Sequence, residues 1–259
     1  MPPMPPDFLQ PDFLQQLLTR RDTWWGRECA DNGQGQSTGF PALDRILVAG
    51  GWPEQGLAEL LCPLPCPAVL HLLLPLLAGD APGARLIANP PLRPSAATLA
   101  QAGVPLRDLL ILRSGDRGAL LRACFEAVAS DTLRLALLWP PGGPLPASTL
   151  RRLHLGAQQG RCLLILVRPC QAGQQPSPAP LRLELDCPSP GKLTVTVRKQ
   201  PGGRAGQHCD LKILPEHLRR IPPSCIDMPA LTRRPRPQPS LEHPLLRLPA
   251  PMTAPEVRP

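Results

Sequence analysis

Leu57-Ala-Glu-Leu-Leu-Cys-Pro-Leu-Pro-Cys-Pro-Ala-Val69 decides how the rest of the chain is read. Its first half is an unbroken apolar run carrying one carboxylate, the pattern of a strand covered on both faces. Then come Pro63, Pro65 and Pro67. A proline ring fixes φ and removes an N–H, so this spacing fits neither a strand nor a helix interior. From Ala68 to Ala78 the apolar residues resume at helical length. The stretch is therefore strand, proline-rich loop and helix.

The same alternation extends outward. Leu57–Leu61, Leu86–Ala88, Leu109–Leu112, Leu133–Trp139 and Leu163–Val167 read as buried strands. Ala68–Ala78, Ser95–Ala102, Gly118–Ser130 and Ser148–Gln159 read as helices, with Ser95 and Ser148 as N-caps and Gly103 and Gly160 as stops. Strands alternating with helices imply parallel crossovers, hence an α/β fold with a parallel sheet flanked by helices. Leu181–Leu185 and Leu193–Arg198 flank Pro188–Gly191 and predict a closing antiparallel hairpin.

Four segments follow. Residues 1–25 hold an amphipathic helix, with Phe13, Leu14, Leu17 and Leu18 at helical spacing, and 26–36 read as a polar linker. The core spans 37–214. Residues 215–259 are rich in proline and arginine and read as a disordered tail, with Leu245 and Leu246 as its one apolar grip for a partner. That tail holds 12 of the 39 prolines and seven arginines of a chain whose net charge is +8. The charge favours an anionic partner, either DNA or an acidic protein. Aromatic residues are only 3% and tyrosine is absent, which argues against a base-stacking platform.

Nine cysteines without a leader-like N-terminus predict a cytoplasmic protein without a disulfide framework. Cys62 and Cys66 are the nearest pair, and no second pair at matching spacing completes a zinc site, so no metal is expected. Cys124, Cys162 and Cys187 fall at buried-looking positions and read as small apolar residues. No apolar run is long enough to span a bilayer, so no membrane partner is expected.

Ser37-Thr-Gly-Phe-Pro-Ala-Leu-Asp44, Gly50-Gly-Trp-Pro53 and Leu57-Ala-Glu-Leu60 together resemble the entry to a RecA core. Ala102-Gly-Val-Pro-Leu-Arg-Asp-Leu-Leu110 extends the resemblance, which covers about residues 37–200. With Trp139-Pro140, Leu150-Arg-Arg-Leu-His-Leu155 and Ser177-Pro-Ala-Pro-Leu-Arg182, the chain looks most like the ImuA family of RecA/SulA-like proteins. The resemblance implies a RecA-like, degenerate P-loop NTPase fold. A phosphate loop needs two glycines, a lysine and a hydroxyl. The matching positions here are Cys62, Pro67, Ala68 and Val69, and the metal and base positions fall at Trp139 and near Pro91. The expectation is a non-enzyme with no cofactor.

What the resemblance implies instead is a non-catalytic accessory role in SOS-induced translesion DNA synthesis and mutagenesis. Its partners would be an ImuB-type Y-family pseudo-polymerase, RecA or its filament, and a second, replicative-type polymerase. Any DNA contact would be indirect. Candidate contact residues are Arg151 and Arg152 on one helix, and Arg198, Lys199 and Arg204 in a Gly-bearing loop. Two alternatives remain open: a SulA-like inhibitor of cell division, and a divergent ATPase.

Overall fold

The computed structural model describes residues 35–189 and 191–213. The chain runs α1 (Pro41–Asp44), β1 (Gly56–Cys62), α2 (Ala68–Ala78), β2 (Ala84–Ala88), α3 (Ala96–Gln101) and β3 (Leu109–Leu112). It continues α4 (Arg117–Ala129), β4 (Leu133–Leu138), α5 (Ala147–Gln159), β5 (Leu163–Pro169), β6 (Leu181–Ser189), β7 (Lys192–Lys199) and β8 (His208–Lys212). One eight-stranded sheet has the order β3-β2-β4-β5-β1-β6-β7-β8. The strands from β3 to β6 pair in parallel, and β6, β7 and β8 pair antiparallel. This is a mixed α/β architecture with helices on both faces of a large sheet.

Successive residues of a strand face opposite sides, and the two cores follow from that rule. Ala58, Leu60 and Cys62 of β1 pack with Val69, Leu72, Leu73, Leu76 and Leu77 of α2, Leu43 of α1 and Leu99 of α3. Leu57 lies in the other core, with Leu120, Cys124 and Val128 of α4 and Leu150, Leu153 and Ala157 of α5. Helices α4 and α5 approach closely because residue 160 has no side chain. A Cβ there would stand 2.1 Å from the Val128 carbonyl oxygen.

The opening strap is held locally. The Asp44 carboxylate accepts from the Ser37 hydroxyl at 2.7 Å and from the Thr38 amide at 2.8 Å. Asn89 adopts φ 50° after β2, a conformation asparagine tolerates, and its side chain exchanges two bonds with the Ser114 backbone. That clasp joins the loops following β2 and β3.

Several expectations need correction. Residues 35–36 are not linker: Gln36 and Trp52 form an antiparallel bridge, and Gly35 donates to the Ala49 carbonyl. Gly51 permits that approach, since a Cβ would meet Gln36 O at 2.1 Å. Strand β3 is not buried. It forms an edge, with Leu110 and Ile111 both about half exposed. Ser148 does not cap α5, because the helix starts at Ala147 behind Pro146 with no side-chain cap. Ser95 does cap α3, accepting from the Thr98 amide. Cys187 is exposed, whereas Cys124 and Cys162 are buried. Strand β8 and the one-turn α1 were not expected at all. The N-terminal helix of residues 1–25, and Leu245 and Leu246 in the tail, lie outside the described residues.

Candidate functional site

In a mostly parallel sheet, ligand sites form at the carboxyl ends of the strands. Here that end of β1 delivers Cys62, and the loop 63–67 follows it into α2. Register places Cys62 beside Pro169 of β5, so Cys170 follows immediately next to it. Strand β6 pairs with β1 up to Leu61↔Glu184 and then runs on past the end of β1, carrying Cys187 toward the loop. The Sγ atoms of Cys66 and Cys187 lie 3.6 Å apart, across 121 positions of sequence.

Cys66 occupies the entry to α2. Its sulfur shares a hydrogen bond with the Cys187 thiol, and the Val69 amide donates to the Cys66 carbonyl at 3.3 Å. The Cys62 thiol is the largest influence holding Cys66 down, to about 6, against burial, which pushes the other way. Cys62 is pushed well up by donating to Cys66 and by burial. Cys187 is pushed up to about 11, first by burial and then by its bond to Cys66. Of these three thiols, Cys66 is the one held down toward the thiolate. Among the described residues, no group of three or more histidine, cysteine or acidic side chains is placed to hold a metal ion.

The structure brings the expected positions together. Pro67, Pro91 and Trp139 line one cavity of about 170 Å³, along with Cys66, His71 and Arg93. Cys62 and Val69 are fully buried and Ala68 nearly so. Trp139 is buried, and its indole N–H finds no partner among the described residues. The Val69 amide at the start of α2 already donates to the Cys66 carbonyl, and the three prolines of the loop have no amide to offer.

Below this end of β1 lies a cluster of buried charge that the sequence did not announce. The Glu59 side chain is fully buried. Its Oε1 accepts from Arg168 Nη1 at 3.2 Å and from the Ser177 hydroxyl at 2.8 Å, and its Oε2 accepts from Arg182 Nε at 2.8 Å. Arg182 also donates to the Ala172 and Gly173 carbonyls, and Arg168 to Gln175. The cluster thus ties the short 3-10 turn Cys170–Gln174 to three strands. Glu59, Ser177 and Arg182 each belong to motifs quoted above; their convergence needed β1 and β6 to be neighbours.

The basic candidates sit on α5, at the end of β7 and in the loop after it. Arg152 lies 4.2 Å from the Phe125 ring centroid, a cation–π contact, while Arg151 is exposed beside it on α5. Arg198 pairs with Glu184 at 2.5 Å, and Lys199 donates to the Ser177 carbonyl at 3.2 Å. Arg204 is exposed in the loop after β7, which Gln200 pins to Ile46 and Val48. Lys199 pairs with Arg182, level with Glu59, so that loop leaves the sheet at the end opposite Cys62.

His154 has a structural task. Its Nδ1 accepts from the Leu57 amide at 3.1 Å, which requires an unprotonated nitrogen. Burial, and then the Lys199 charge, hold it below its usual value. The unfolded chain therefore takes up the proton first as pH falls. Stability should be fully present above about pH 6.5 and decline below it, and His154→Gln should flatten that dependence. Urea midpoints between pH 5 and 8 check this; an unchanged slope in the variant would refute it.

No family model matches the chain. It is similar to the cell division inhibitor SulA of Edwardsiella piscicida, with 34% identity over 88 residues, 34% of this chain and 51% of that protein. The chain thus spans about half the length of the curated relative it matches, and the two are homologous over that stretch. Among solved structures it is similar to SulA from Pseudomonas aeruginosa at 28% identity, covering 44% of this chain and 97% of that one, with a TM-score of 0.36.

Proposed function

We propose that this chain is a non-catalytic protein of the SOS response to DNA damage, built on a RecA-like core whose phosphate loop has degenerated. It works by binding other proteins, as an accessory to synthesis past lesions. The observation that carries the reading is the loop after β1. A strand–loop–helix stands at the carboxyl end of a mostly parallel sheet, and its loop carries Pro63, Pro65 and Pro67, which have no amide for a phosphate. No lysine or hydroxyl follows, and the metal position is a tryptophan. Losing one electrostatic contact to a transition state costs about 10²–10³ in rate, so losing all of them removes ATP hydrolysis.

The partners in this reading are an ImuB-type polymerase-like protein and RecA, and the compartment is the cytoplasm. Among the described residues no helix is long and apolar enough to cross a membrane. Strand β3 offers a contact surface, an edge unpaired among the described residues, with Leu110 and Ile111 exposed and Leu106 beside them. A second reading is inhibition of cell division, which the homology to SulA favours.

Deleting the gene separates the two. The accessory reading expects damage-induced mutation to fall while cell length after damage stays unchanged. Shorter cells after damage with unaltered mutation frequency would reverse the order. Both readings expect Mg²⁺-ATP to leave the melting temperature unmoved. A nucleotide site filled at about 100 times its Kd would contribute about 2.7 kcal/mol, a shift of several degrees. Such a shift would restore the ATPase alternative.

A further inference from the structure

Cys62, Cys66, Cys170 and Cys187 come from three separate parts of the sequence to the carboxyl ends of β1, β5 and β6, and of the four Cys66 lines a cavity. Cys66 lines the cavity floored by Pro67 and Trp139, and its sulfur lies 3.6 Å from that of Cys187. Cys187 is exposed at the end of β6, while Cys62 is fully buried behind Cys66. We propose that Cys66 is an oxidant-reactive thiolate that peroxides convert to a sulfenic acid, and that Cys187 resolves it into a Cys66–Cys187 disulfide.

The chemistry balances with hydrogen peroxide as the oxidant. The Cys66 thiolate attacks one peroxide oxygen, the O–O bond breaks, and the leaving hydroxide takes a proton to become water. The Cys187 sulfur then attacks the Cys66 sulfenic sulfur. Its thiol proton and the departing hydroxide form the second water. Two thiols have lost two electrons, and one peroxide has gained them.

Three features support this assignment over ordinary surface oxidation. First, the thiolate is the reactive form, and Cys66 is held down to about 6 while Cys62 and Cys187 are held up. Second, the two sulfurs need to close by only about 1.5 Å to reach a disulfide bond length. Third, Cys187 is exposed near the end of β6, inside the irregularity between Asp186 and Ser189 where the register with β7 shifts, outside both cores. Cys124 and Cys162 are buried in apolar surroundings that push them up to about 11 and about 12, which leaves them unreactive.

The test uses the full reduced chain treated with hydrogen peroxide near pH 7, quenched with N-ethylmaleimide and mapped by peptide mass. The expected product is a Cys66–Cys187 peptide pair lighter by two hydrogens. Cys187→Ser should stop the reaction at a Cys66 sulfenic acid that dimedone traps, and Cys66→Ser should remove the bridge. Because a change at Cys66 could disturb the loop, iodoacetamide labelling of the unaltered chain gives a second readout. Labelling of Cys66 should level off above about pH 7, while Cys187 and Cys209 keep rising about tenfold per pH unit. A principal bridge between Cys62 and Cys66 or any other pair would overturn the proposal. So would a Cys66 labelling rate that still climbs at pH 9, or a stoichiometric metal ion in the purified protein that protects these thiols.

Discussion

Replacing Glu59 with glutamine is expected to destabilise the fold by about 3–5 kcal/mol, because it leaves two buried guanidinium groups without their counter-charge. Arg168 and Arg182 are 2% and 10% exposed at the side chain, and swinging into water would cost Arg168 its bond to Gln175 and Arg182 its bonds to the 3-10 turn. Urea denaturation followed by circular dichroism measures the loss. The physical content lies in the comparison with Arg168→Met combined with Arg182→Met and Glu59→Leu. Removing all three charges removes the desolvation penalty along with the attraction, so the triple variant should be more stable than Glu59→Gln alone. A single variant within 1 kcal/mol of the unaltered chain would show that the cluster contributes little.

Trp52→Ala should cost about 3–5 kcal/mol, the range for truncating a fully buried aromatic side chain. Trp52 is 0% exposed in the core beneath α1 and α2, and its backbone exchanges both hydrogen bonds with Gln36. Losing the ring would open a cavity under that bridge and loosen the strap of residues 35–44. Trp52→Phe should cost far less, about 1.5 kcal/mol or below, because the indole N–H is buried without a partner among the described residues and phenylalanine removes it. Equilibrium unfolding of the pair decides the matter. Equal losses in the two variants would mean that the N–H makes a bond that matters.

Most helices and strands were legible because they depend on neighbours in sequence. Helix α2 matched its expected bounds, and the hairpin around Pro188–Gly191 formed as the two flanking runs required. Errors fell where a residue's environment comes from a distant element. Leu109–Leu112 reads as a core strand, but the sheet order leaves it at an edge. Cys187 follows an apolar run, yet β6 carries it beyond the end of β1. Gln36 looks like linker because its partner, Trp52, lies across a loop.

The alternation of strand and helix, and the chemistry missing from residues 62–69, follow from local residue order. Prolines at 63, 65 and 67 have no amide to offer whatever surrounds them, and alanine at 68 carries no charge in any fold. Only the tertiary structure decided what stands there instead. Hydrophobic periodicity says which face of a strand is buried but not which strand lies beside it. Placing β1 between β5 and β6 brought Cys66 to Cys187, and Glu59 to Arg168, Ser177 and Arg182, over separations of more than 100 residues. The loop 63–67 is thus closed to a phosphate by local covalent structure and lined with thiols by sheet order.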